Sequence, residues 1–60
     1  MTKYYVSTSA KVTEFKDLGK ATLHYSKMAR VFPVVKLIER NTGIYGTRTS
    51  IVLSQNGFSA

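Results

Sequence analysis

An apolar stripe of helical period that ends at a proline constrains this chain more than any other feature. The stripe recurs at spacings of three, four, three, one and three residues and comprises Leu18, Ala21, Tyr25, Met28, Ala29 and Phe32. Such spacing predicts an amphipathic helix. Pro33 must end that helix, because the residue before a proline is pushed out of the α region. We therefore predict a helix over residues 18–31 with Asp17 as its N-cap, or an earlier start capped by Thr13.

Stretches rich in β-branched and aromatic residues flank this helix and predict three strands, over residues 3–8, 33–40 and 44–54. Residues 9–16 are expected to lead into the helix, with Phe15 packing just before it. A turn at residues 41–43 joins the second and third strands, since Gly43 adopts positive φ at little cost. Gly46 is the expected site of a bulge or bend.

These elements predict a single small α+β domain over residues 1–60, in which one helix packs on a three-stranded sheet in the order β-α-β-β. The last two strands form an antiparallel hairpin, and the crossover through the helix makes the first two strands parallel. The expected inner face consists of Tyr4, Val6, Val35, Leu37, Ile51 and Leu53. The expected outer face consists of Tyr5, Val34, Ile38, Ile44 and Val52, mixed with Lys3, Lys36, Arg40 and Arg48. A register error of one residue would exchange the two faces.

The charge balance is strongly one-sided, with nine Lys and Arg against three Asp and Glu and a formal net charge of +6. A small domain stays dispersed with less charge than this, so the surplus favours an anionic partner. The residues predicted to contact nucleic acid are Lys16, Lys20, Lys27 and Arg30 along one helix side, assisted by Arg40 and Arg48 from the hairpin. The plainer interpretation of the helix charges is a solvated surface, but beyond the neighbourhood of Lys16 no acidic partner stands at i,i+4 spacing on this side.

The outer sheet face has nothing in this chain to cover it, and exposed apolar patches usually mark interfaces. We predict an interface at Tyr5, Val34, Ile38 and Val52. A homodimer is one use of it, because a domain this small is marginal alone and the chain has no cysteine for a disulfide. A second use is a nucleic-acid platform in which Tyr5 and Tyr45 stack bases. A third is a protein-interaction or inhibitor module that binds an acidic protein through the sheet face or a strand edge.

Catalytic motifs are missing from the sequence, so we predict that the protein is not an enzyme and takes no cofactor, metal or small-molecule substrate. His24 is the only histidine, and its helical neighbours are cationic or apolar, so we interpret it as a surface residue of the basic side. Each acidic residue has a predicted structural role. We interpret Glu14 as a charge at the helix start, Asp17 as the helix cap and Glu39 as an ion-pair partner in the hairpin.

The N-terminal segment has no apolar region of a signal peptide, and no apolar run approaches the ~18 residues of a membrane span. We therefore expect a complete cytoplasmic protein with no membrane partner. In size and in its lack of motifs it resembles small accessory proteins of phages and other mobile elements, although no particular residue carries that comparison. The sequence leaves two functional hypotheses: a nucleic-acid-binding accessory protein acting mainly through phosphate contacts, or a module that binds an acidic protein.

Overall fold

Five elements follow one another along the chain in the computed structural model, which describes residues 1–57. They are β1 (Thr2–Thr8), β2 (Val12–Phe15), α1 (Leu18–Val31), β3 (Val34–Gly43) and β4 (Gly46–Asn56). The strands form one four-stranded sheet in the order β2-β1-β3-β4, and every neighbouring pair is antiparallel. The α+β class and the C-terminal hairpin are confirmed, whereas the prediction of three strands is wrong.

The additional strand is β2, which occupies most of the segment that was expected only to lead into the helix. It pairs with β1 so that Phe15 lies opposite Tyr4 and Val12 opposite Ser7. A compact turn joins the two strands: the Thr8 hydroxyl accepts from the backbone nitrogens of Ala10 and Lys11, at 3.2 and 3.1 Å. Because this hairpin reverses the chain before the helix, β3 runs antiparallel to β1. The predicted parallel pairing is therefore wrong.

Helix α1 begins and ends where the sequence predicts. The Asp17 side chain accepts a hydrogen bond from the backbone nitrogen of Gly19 at 3.2 Å, which satisfies one of the free amides of the first turn. At the other end, the backbone nitrogen of Phe32 donates to the carbonyl of Met28 at 2.8 Å. Pro33 then directs the chain into β3.

The core is small and lies where α1 crosses β1 and β3. Its fully buried members are Val6, Ala21, Val35 and Leu37. A ring of partly buried side chains packs around them, consisting of Tyr4, Phe15, Tyr25, Met28 and Phe32. The predicted inner residues of β1 and β3 are thus confirmed, and the face assignment of those two strands is right.

The assignment of β4 is only half right, because a bulge interrupts its register. Leu37 lies opposite Leu53, but the next residue, Ile38, lies opposite Ile51, so Val52 is an extra residue in β4. Because β4 has one more residue than β3 at this point, the residues of β4 beyond the bulge point to the opposite faces from those expected without it. Ile51 consequently shares the face of Ile38, away from the helix, rather than the predicted inner face. Leu53 lies on the helix side but remains 41% exposed.

The β3–β4 hairpin is longer than the helix that covers it, and it gives the molecule extents of 43 × 18 × 18 Å. Its turn consists of Ile44 and Tyr45, and both side chains are more than nine-tenths exposed. The turn predicted at residues 41–43 is therefore wrong, because those residues continue β3. Gly46 closes the turn with φ of 121°, a conformation that other residues rarely adopt. Gly46 therefore closes the hairpin turn instead of forming the predicted bulge. The bulge of β4 lies at Val52.

Candidate nucleic-acid interface

Three cations project from the side of α1 that faces away from the sheet, and we call Lys20, Lys27 and Arg30 the helix surface. All three are exposed, because Ala21 and the other apolar residues of the helix occupy the side packed on the sheet. The 14 residues of α1 include no Asp or Glu. At 1.5 Å per residue, the three cations span about 15 Å of helix axis. Leu23, which is 68% exposed, lies among them.

The helix surface forms no ion pair in the described part of the chain. Within residues 1–57 the single ion pair joins Lys3 to Glu14, on the opposite side of the sheet. The 14 residues of α1 contain no acidic residue, and the nearest carboxylate along the chain is that of the capping Asp17, three residues before Lys20. Lys27 and Arg30 therefore present their positive potential to solvent with no acidic residue at pairing spacing along the helix.

The opposite side of the sheet, which we call the open face, is formed by the strand residues that point away from α1. Its central row runs across the sheet as Glu14, Tyr5, Ile38 and Ile51. The row toward the hairpin tip is Lys3, Arg40 and Thr49, and the row on the other side is Val12, Ser7, Lys36 and Ser54. An aromatic and aliphatic centre is thus flanked by cations on both sides.

Lys3 and Arg40 line a shallow depression of about 200 Å³ on the open face, together with Met1, Tyr5 and Thr42. Lys3 lies directly opposite Arg40 in the β1–β3 ladder. Directly opposed residues have Cβ atoms about 4.5–5.5 Å apart, and like charges at that distance destabilise a sheet. Two cations that repel one another therefore lie side by side in the lining of the depression.

Glu14 contacts two of the residues that line this depression, Lys3 and Tyr5. Its Oε1 atom lies 3.3 Å from Lys3 Nζ and accepts a hydrogen bond from the Tyr5 hydroxyl at 3.1 Å. The hydrogen bond from Lys3 and then that from Tyr5 hold the pKa of Glu14 below its ordinary value, and the charge of Lys16 adds to the effect. Glu14 is thus an open-face residue that fixes Lys3 and Tyr5, which corrects the prediction of a helix-start charge.

The six predicted nucleic-acid contacts do not form one surface. Lys20, Lys27 and Arg30 lie together, but Lys16 precedes the cap of α1, and its charge acts on the Glu14 carboxylate. Arg40 lies opposite Thr49 on the open face, whereas Arg48 lies opposite Asn41 on the other face of the hairpin. The sequence pattern could not separate Arg40 from Arg48, because their faces depend on the register of the hairpin.

The four predicted interface residues have different positions. Tyr5 and Ile38 are direct cross-strand neighbours at the centre of the open face. Val34 begins β3 at the end far from the tip and is 42% exposed, and Val52 is the bulge residue of the edge strand, 41% exposed. Only two of the four therefore share a continuous patch.

His24 and Glu39 also depart from their predicted settings. The His24 ring is half-buried and lies against Phe15, with ring centroids 5.2 Å apart, so it flanks the helix surface instead of joining it. Glu39 lies opposite Tyr4 on the helix side of the sheet. It forms no ion pair within the described part of the chain, which corrects its predicted role in the hairpin.

Comparisons with protein families, with curated proteins and with solved structures found no match to this chain. Over residues 1–57, no group of three or more potential metal-ligating side chains comes together. The one helix of this part of the chain falls short of the length and apolar character needed to cross a membrane.

Proposed function

We propose that this protein binds nucleic acid, and that the helix surface makes its main phosphate contacts. The observation that carries the proposal is the exposure of Lys20, Lys27 and Arg30 on a helix without a single acidic residue. Uncompensated cations in a row attract a polyanion more strongly than they attract isolated carboxylates. The net charge of +6 adds long-range attraction of the same sign.

The length of the helix surface suits a nucleic-acid backbone. Duplex DNA carries one phosphate charge per about 1.7 Å of its axis when both strands are counted, so a length of ~15 Å holds about nine phosphates, four or five on each strand. Each cation therefore has several phosphates within reach without any fixed register. Contacts of this kind contribute affinity but little sequence information. We accordingly propose binding that depends weakly on sequence.

Salt dependence tests this proposal quantitatively. Three phosphate contacts give a slope of log affinity against log salt of about −2.7 on duplex DNA and about −2.1 on a single strand. Replacing Lys20 and Lys27 together by Gln should reduce the duplex slope by about 1.8. The measurement is fluorescence anisotropy with a labelled duplex between 50 and 200 mM salt.

The matched control removes the same charge elsewhere. Lys11 lies in the β1–β2 turn and Arg48 near the hairpin tip, both exposed and outside the helix surface. The double change of these two to Gln should leave most of the slope intact. If both double variants lost the same amount of slope, binding would depend on net charge alone, and the assignment of the contacts to the helix surface would be wrong. Absence of binding by the unchanged protein at low salt would refute the proposal altogether.

A second candidate function, binding of an acidic protein by strand pairing, is favoured by the exposure of β4. Within residues 1–57 one edge of β4 is unpaired, and Ile51, Val52 and Leu53 of this strand are 60%, 41% and 41% exposed. Long edges with exposed aliphatic residues accept an added strand. Val52→Lys should abolish such binding, or pairing with a second copy, while leaving nucleic-acid affinity unchanged or slightly higher. Loss of nucleic-acid binding in Val52→Lys would place the nucleic-acid site at β4 instead.

A further inference from the structure

We propose that the open face holds a second phosphate-binding site, between Lys3 and Arg40, that takes the backbone of a single nucleic-acid strand. This inference rests on the proposed function but concerns the opposite side of the molecule. The helix packs on one face of the sheet, and these two cations lie on the other. One protein molecule would then hold two strands, or two segments of one strand, on opposite sides of its sheet.

The opposed cations are the first argument. A sheet whose only task is to fold gains nothing from Lys3 opposite Arg40, because like charges in direct cross-strand contact are destabilising. Glu14 neutralises Lys3 from the β2 side. Arg40 has no acidic partner within residues 1–57. An anion in the depression between them would remove the repulsion and supply the missing partner of Arg40.

The donors around the depression are the second argument. Its lining residues carry the ammonium groups of Met1 and Lys3, the guanidinium group of Arg40 and the hydroxyl of Thr42, and include no Asp or Glu. Arg binds phosphate with two parallel hydrogen bonds, which makes it the most selective of these cations. A phosphate oxygen accepts from all three donor types, whereas a second copy of this face would bring the same cations against each other.

Tyr5 is the third argument, and it favours a nucleic-acid strand over free phosphate. Its ring lies beside the depression, and its hydroxyl is fixed by Glu14 at 3.1 Å. Stacking of a base on an aromatic ring contributes without selecting a sequence. Single-strand binding surfaces combine a positively charged groove with aromatic rings on which bases stack. Lys36, one row beyond Tyr5, is placed to contact a following phosphate.

The test maps both surfaces at once. Amide ¹H–¹⁵N spectra of the full chain are recorded with an oligothymidine of about eight nucleotides, a length typical of one small single-strand site. The second site predicts shifts at Lys3, Tyr5, Arg40 and Thr42 in addition to those of α1. Shifts confined to α1 would refute the second site and keep the proposed function. Shifts confined to the open face would support the second site and refute the phosphate contacts proposed for the helix surface. A spectrum without shifts would refute both sites.

A charge-matched pair of variants makes the test specific. In a background whose three helix-surface cations are changed to Gln, Arg40→Gln should weaken oligothymidine binding by about tenfold, because the Gln amide can replace only one of the two hydrogen bonds that the guanidinium donates. Lys11→Gln removes the same charge from the far end of the sheet and should change affinity less than twofold. Arg40→Gln should also melt no lower than its parent, since the repulsion with Lys3 is gone. Equal affinities of the two variants, or no binding in the background, would overturn the second site.

Discussion

Gln55 is the side chain on which the attachment of β4 to the helix depends. Its Nε2 atom donates to the carbonyl of Ala29 at 2.9 Å and to that of Phe32 at 3.2 Å. Both carbonyls belong to the last turn of α1 or its cap, where no further helical amide is available to them. The partly buried amide of Gln55 thus joins the edge strand to the C-terminal end of the only helix in residues 1–57.

The predicted cost of Gln55→Ala follows from these two bonds. A hydrogen bond contributes about 0.5–1.5 kcal/mol net, so losing both should lower the free energy of unfolding by about 2 kcal/mol. For a domain of this size, each kcal/mol at the midpoint corresponds to about 4–8 °C, which predicts a fall in Tm of about 8–16 °C. Circular dichroism melts and guanidinium titrations measure both quantities.

Two further variants make the reasoning about Gln55 refutable. Gln55→Glu keeps the shape but replaces the donor by a carboxylate at the negative end of the helix dipole, so it should be less stable than Gln55→Ala at neutral pH. It should recover as the pH falls, because the protonated carboxyl again donates. Ser54→Ala, the adjacent exposed change on the open face, should lie within about 0.5 kcal/mol of the unchanged protein. If Gln55→Ala resembles Ser54→Ala, the two bonds contribute nothing and the reasoning fails.

Two other outcomes follow from the open face. Glu14 has a lowered pKa in the folded protein, so its contribution to stability is present above its unfolded pKa of about 4.3 and is lost as the pH falls through the lower folded value. Glu14→Gln should therefore lower Tm at neutral pH but not at strongly acidic pH, and it should strengthen oligothymidine binding because Lys3 is released. If binding weakens instead, Glu14 contributes more by positioning Tyr5 than it costs by occupying Lys3. Energy transfer between two differently labelled oligonucleotides should appear with the unchanged protein and vanish when either basic surface is neutralised; transfer that survives both changes would contradict two-sided binding.

The helix was fully predictable because each of its signals is local. The apolar stripe, the capping carboxylate of Asp17 and the proline after Phe32 act within a few residues of one another. The inner faces of β1 and β3 followed for the same reason, since alternation alone places Val6, Val35 and Leu37 against the helix.

The errors concern features whose cause is not local. Strand β2 is four residues long, and its alternation is too brief to be distinguished from a lead-in to the helix until β1 is present to pair with it. The bulge at Val52 has no marker in the sequence, because neither a glycine nor a charge stands there. It nevertheless decides the face of Ile51.

The same limits explain what was predictable of the candidate site. Helical spacing brought Lys20, Lys27 and Arg30 together correctly, because a helix fixes the face of every residue from its number. Arg40 and Arg48 were grouped by closeness along the hairpin, but only the ladder shows that they lie on opposite faces. The pair of Lys3 and Arg40 has partners 37 positions apart, and no periodicity reveals such a contact.

The distribution of charge bears on stability as well as on binding. Only four residues of the described chain are fully buried apolar side chains, a small core with which to oppose self-repulsion at a net charge of +6. A chain selected for folding alone would lower that repulsion by placing carboxylates beside its cations, yet the 14 residues of α1 contain none. A polyanion that binds the folded form compensates for this cost, since a ligand at 100 times its Kd adds about 2.7 kcal/mol to the free energy of unfolding. The features that weaken the isolated domain are those that a phosphate backbone would neutralise, and for that reason we propose that this protein acts through its cationic surfaces instead of through its exposed aliphatic edge.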